Sequence, residues 1–198
     1  MTEESFALLP EALRDRRFRK DFAELSKTHP KPGDPVAYCI PPGSPRADLL
    51  AVDFDAVKEH YYKDQLPFLN KSADALYIHQ NEWFLIEFKT GGAPVWGTVR
   101  KAYDSVITLF EHDILSLAEC REKLTFILVR ENAKKLFPYY DLGKITGKSY
   151  GPIWEYDVAD IPSSIADADP RVLTGQVAKK IYVMDVPDFV GFTSSWAN

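Results

Sequence analysis

The clearest chemical signal in this chain is Asp74 followed, after twelve intervening residues, by Glu87-Phe88-Lys89. Two β-prone runs hold these residues, Ala73-Asp74-Ala75-Leu76-Tyr77-Ile78 and Trp83-Phe84-Leu85-Ile86-Glu87-Phe88-Lys89, on either side of the polar turn His79-Gln80-Asn81-Glu82. With Gln80-Asn81 as a two-residue turn, Ile78 faces Trp83, Leu76 faces Leu85 and Asp74 faces Glu87. Opposed residues have Cβ atoms about 4.5 to 5.5 Å apart, where like charges destabilise a sheet unless something positive lies between them. A hard divalent ion such as Mg²⁺ or Mn²⁺ takes oxygen ligands and is commonly held by one or two carboxylates. Asp74 and Glu87 supply those, and the carbonyl of Phe88 is a third candidate ligand while its ring turns to the opposite face. Lys89 projects on the same face as Glu87, roughly 7 Å further along. There it could orient or deprotonate a water, or neutralise charge on a phosphoryl group. Phosphodiester hydrolysis is the reaction that needs these parts.

This spacing, in a hairpin, resembles the PD-(D/E)xK signature of restriction-endonuclease-like nucleases, with Ala73 where the usual proline stands. The resemblance covers residues 71–130. It implies a core of a helix, three strands, a helix and a further strand, with Asp74 and Glu87 as metal ligands and Lys89 as the catalytic lysine. Many members add a glutamate from the first core helix, for which Glu24 and Glu59 are both candidates. Arg100 and Lys101 stand where members often carry a polar or basic residue on the helix after the motif. A rival function comes from another class: a catalytically inactive binding protein, of inhibitor or immunity type, on the same fold. More plainly still, a strand-end Glu and Lys can pair in solvent for about 0 to 1 kcal/mol, and a three-residue loop would put Asp74 and Glu87 on opposite faces.

The elements that must position these residues are legible to different degrees. Both faces of the hairpin are apolar, which implies a sheet covered on both sides. From Thr98 to about Cys120 the apolar residues Val99, Ala102, Val106, Phe110 and Leu117 predict one helix packed on the hairpin, and Lys123 to Val129 reads as a buried strand. Pro10 to about Lys27 reads as a helix with Phe18, Phe22 and Leu25 on one stripe and a basic opposite face from Arg14 to Lys20. The prolines between His29 and Arg46 predict a loop-rich connection, Asp48 to Phe54 stays open in type, and Ala56 to Gln65 suits a short helix. Lys180 to Val186 supplies one more strand. The expected fold is an α/β (α+β) arrangement in a single domain over 1–198, a restriction-endonuclease-like mixed sheet with a β-hairpin flanked by helices.

Composition narrows the partners. Lys and Arg number 24 against 29 Asp and Glu, so the chain carries −5 and as a whole repels polyphosphate. A general nucleic-acid coat is excluded, and a nuclease of this charge needs a narrow substrate range or a protein partner or second copy. DNA stands ahead of RNA as the substrate, by resemblance. Cys39 and Cys120 form no CxxC, and no apolar run is long enough to span a bilayer, which fits a cytoplasmic protein with no membrane partner. Gly147-Lys148-Ser149 lacks the earlier glycine of a phosphate loop, since Leu142 stands there. His29, His60, His79 and His112 show no metal-ligand spacing. The basic and aromatic residues from Arg130 to Tyr150 could stack single strands, but suit a loop with inward aromatics better.

Overall fold

The structure, a computed structural model, describes residues 1–28, 35–63, 71–90, 95–131 and 177–196. Among these, six strands form one mixed sheet in the order β1-β2-β3-β4-β5-β6: β1 (Arg19–Asp21), β2 (Leu50–Asp53), β3 (Ala75–His79), β4 (Glu82–Lys89), β5 (Leu124–Arg130) and β6 (Lys180–Asp185). The first four run antiparallel to their neighbours, while β5 is parallel to β4 and β6 to β5. The helices are α1 (Glu3–Ala7), α2 (Phe22–Leu25), α3 (Phe54–Tyr62), α4 (Val95–Glu111), α5 (Leu117–Lys123) and α6 (Val186–Phe192). This is an α+β fold with helices flanking the sheet. No described helix is long and apolar enough to cross a membrane.

The hairpin forms as its alternation dictates. β3 and β4 pair Ala75 with Ile86, Leu76 with Leu85, Ile78 with Trp83 and His79 with Glu82. Gln80 and Asn81 both take positive φ, 49° and 66°, as a two-residue turn matched to the twist of the strands requires. Every residue of β5 is buried, as expected for a parallel strand covered on both faces.

Successive side chains then divide between two layers. Tyr77, Phe84 and Phe88 point to one side, where Phe22 of α2, Phe189 and Phe192 of α6, and Trp196 close over them. Phe22 has ring centroids 5.7 Å from each of Tyr77, Phe88 and Phe189, and Trp196 stacks on Tyr77 at 4.4 Å. Glu87 points to the other side, where Lys101 of α4 meets it. There α3 joins α4 through the Tyr62 hydroxyl on Glu111 and Tyr61 stacked on His112 at 3.9 Å.

Two expected helices are broken. Instead of one helix from Pro10 to Lys27, the chain makes short 3-10 turns at Glu11–Leu13 and Arg16–Phe18, then β1, then α2. Asp15 accepts from Arg17 N–H at 2.9 Å and Asp21 from Glu24 N–H at 2.8 Å, each side chain capping a new turn. Arg19 and Lys20 extend to pair with Val52 and Ala51 of β2, so the open Asp48 to Phe54 stretch is strand from Leu50 to Asp53 and turns into α3 at Phe54. Phe18, Phe22 and Leu25 are buried all the same.

The helix expected from Thr98 to Cys120 divides at Asp113, whose φ of 52° is left-handed. Ser116 and Glu119 form a capping box that starts α5 afresh. Phe110 and Leu117, expected inside, are 59% and 38% exposed, while Leu109 and Ser105 take the buried face. The phosphate-loop-like segment at Gly147 and nearly all of the basic, aromatic stretch from Arg130 to Tyr150 lie outside the described residues.

Candidate active site

Asp74 stands one residue before β3, one step along the ladder from the Ala75–Ile86 pair, which brings it opposite Glu87. Phe88 N–H donates to Asp74 Oδ2 at 2.7 Å. In an extended strand a residue's N–H and C=O leave from the same edge, so the Phe88 carbonyl also points toward the Asp74 side. Its neighbour Lys89 uses its carbonyl on the other edge, accepting from Glu131 N–H at 3.2 Å.

The segment that carries Asp74 is fastened to its surroundings at four points. Lys71 N–H donates to Asp104 Oδ2 and Ala73 N–H to Ser105 Oγ, both at 2.9 Å, and the Ser72 hydroxyl donates to Asp55. Phe54 N–H donates to the Asp74 carbonyl at 3.2 Å, which ties the segment to the start of α3.

The cation that offsets the like charges is Lys101. Its ammonium donates to Asp74 Oδ1 at 3.2 Å and to Glu87 Oε2 at 2.8 Å. Lys89 forms an ion pair with Glu87 Oε1, a buried oxygen that accepts no well-directed hydrogen bond. The Glu87 side chain is wholly buried, whereas Lys89 keeps 27% of its side chain exposed.

Burial dominates the titration of this group. It pushes Glu87 up to about 7, with the nearby Asp74 charge adding to the rise. Burial also lifts Asp74, against the pull of Lys101 and Lys89. Lys101 is drawn down by burial, but the two carboxylates outweigh this and hold it above its ordinary value.

Beside Asp74 opens a cleft of about 350 Å³ whose lining includes Glu24, Glu59, Asp55, Lys20 and Lys58, but neither Glu87 nor Lys89. Both candidate glutamates therefore border the same cleft as Asp74. Glu24 lies 3.8 Å from Lys27, its ion-pair partner. Arg100 is turned outward onto Asp104 at 3.4 Å and is 60% exposed. Asp74, Glu87, Lys89 and Lys101 thus converge, while Arg100 stands apart.

Sequence reasoning missed Asp104 and Ser105 as anchors of the Asp74 segment, and missed that Lys101 bridges both acids. A signal for them exists: Thr98, Lys101, Ser105 and Thr108 fall within one helical stripe, an unusual run of polar residues on a face that must bury. Thr98, Ser105 and Thr108 are indeed buried.

The donor set is all oxygen, which suits a hard divalent ion that completes its shell with water. Asp74 and Glu87 each already have an ammonium as their cation, Lys101 for both and Lys89 for Glu87 Oε1. Among the described residues no three His, Cys, Asp or Glu side chains gather closely enough to form an all-side-chain cage. Compared with known proteins, the chain matches no family model, no curated protein and no solved structure.

Proposed function

We propose that the chain is a Mg²⁺- or Mn²⁺-dependent nuclease-like phosphodiester hydrolase on a restriction-endonuclease-like core. The observation that carries this reading is the convergence of Asp74 Oδ1 and Glu87 Oε2 on one cationic centre, 3.2 and 2.8 Å away, with the partly exposed Lys89 paired to Glu87 beside them. The succession of α2, three antiparallel strands β2 to β4, helices α4 and α5, then parallel β5 supports it, with α3 as an insertion after β2.

Asp74, Glu87 and the Phe88 carbonyl are the groups that would hold the ion. When bound, such an ion polarises a phosphoryl oxygen and acidifies a water. Glu87, fixed by burial and by two lysines, keeps its carboxylate from drifting. Lys89, partly exposed, is the ammonium within reach of a phosphate that enters, where it offsets the negative charge that develops as water adds to phosphorus and the ester oxygen departs. On the cleft wall Lys20 is paired with Asp53 at 2.6 Å and Lys58 with Asp55 at 2.9 Å, so the cleft, like the chain, offers a nucleic-acid backbone no net positive charge. That balance favours a restricted substrate or delivery by a protein partner or second copy, and DNA stands ahead of RNA by resemblance alone.

A second reading rests on Lys101. Because its ammonium already bridges the acids, the same geometry would serve as a permanent structural ion pair in a non-catalytic binding protein, of inhibitor or immunity type. Incubation of the full chain with supercoiled plasmid and single-stranded oligonucleotide in Mg²⁺ or Mn²⁺ separates the two. The nuclease reading expects nicking that falls at least about 100-fold in Asp74→Ala and in Lys89→Ala, both still folded by circular dichroism. Intact substrate with either ion would favour the binding protein.

A further inference from the structure

We propose that Lys101 is a displaceable counter-ion, whose ammonium closes the Asp74–Glu87 pair and must leave before a divalent ion can enter. The inference rests on the metal-centre reading above and adds to it a gate. Of the four carboxylate oxygens, Asp74 Oδ2 is committed to Phe88 N–H and Glu87 Oε1 faces Lys89. The two that remain, Asp74 Oδ1 and Glu87 Oε2, both belong to Lys101. A divalent ion held by these two oxygens would need the space that Nζ fills.

Charge leads to the same exclusion. Two carboxylates are balanced by Lys89 and Lys101, and a dication added without release of either leaves a surplus of two positive charges. Departure of Lys89 would free Glu87 Oε1 alone and leave the space between Asp74 Oδ1 and Glu87 Oε2 filled. Lys101 has a four-carbon flexible stem and is 18% exposed. Asp55, which already pairs with Lys58 at 2.9 Å, borders the cleft beside Asp74 and lies within coulombic range of the Lys101 ammonium. Ion entry and withdrawal of the ammonium into the cleft are therefore one event.

Two measurements on the full chain test this, with Mn²⁺ as the probe. In calorimetric titration, Lys101→Met should bind Mn²⁺ about tenfold or more tightly than the unmodified chain, since no ion pairs must be broken first. In the unmodified chain, modification of Lys101 by an amine-reactive reagent, mapped by peptide mass spectrometry, should rise several-fold when Mn²⁺ is added. The second measurement stands even where Lys101→Met does not fold. Equal affinities together with unchanged Lys101 reactivity would overturn the gate and leave the metal centre intact. No Mn²⁺ binding by either chain would overturn both.

Discussion

Glu87 is under the opposite pressure from the exposed acids of this chain. Asp15 and Glu119 are held at about 2, by hydrogen bonds from Arg17 and from Lys123 and Ser116 respectively, so what they contribute is present above their unfolded values and lost as pH falls toward 2. Glu87 is raised instead. Between its unfolded value of 4.5 and about 7 the folded chain keeps a proton that the unfolded chain has released. Stability due to this group therefore declines as pH rises across that window. The Met1 amine, lowered to about 5 by burial against Leu50, acts in the opposite sense between 5 and 8. The difference between the unmodified chain and Glu87→Gln isolates the carboxyl. Urea denaturation at pH 5 and pH 7.5 should show the unmodified chain losing stability relative to Glu87→Gln.

At this scale the sequence revealed the acids but not their cation. Period-two alternation and a turn of known length fix which face Asp74 and Glu87 share. Lys101 reaches them from a helix that is separate in sequence, and its only mark is the polar stripe it shares with Thr98, Ser105 and Thr108, which places it on the buried face without naming the acids it meets.

The elements repeat this contrast. The β3–β4 register was legible because Gln80-Asn81 allows only one pairing that keeps Leu76, Leu85, Ile78 and Trp83 together. Gln80 is the poorer of its two residues, since Asn tolerates positive φ and Gln has no local compensation. Gln80→Gly should stabilise the chain by up to about 1 kcal/mol in urea denaturation, without moving the site. The helices were less legible because their ends depend on single side chains. Asp15, Asp21 and Ser116 each cap the start of a new element, and a propensity average across them reads as one continuous helix.

For the molecule as a whole, the aromatic layer under the sheet is what keeps the site's strands level. Phe22 is fully buried and meets Tyr77, Phe88, Phe189 and Trp196, so it touches the hairpin from the face opposite the acids. Phe22→Ala should cost about 3 to 5 kcal/mol by thermal or urea unfolding. The mixed α+β class followed from the order of strand and helix patterns. The edge strand β1 did not, because Arg19-Lys20-Asp21 has no apolar alternation and becomes strand only by pairing with β2.

The same close packing governs the sulfur chemistry. Cys39 Sγ lies 3.9 Å from the carbonyls of both Lys89 and Val129, and burial pushes it up to about 12, with Cys120 at about 11. These are the only cysteines in the chain, and both are protonated and shielded from solvent at neutral pH. The native exterior is consequently blank to maleimide dyes, so a lone cysteine introduced at the outward-facing Leu8 would give a singly labelled molecule for fluorescence work.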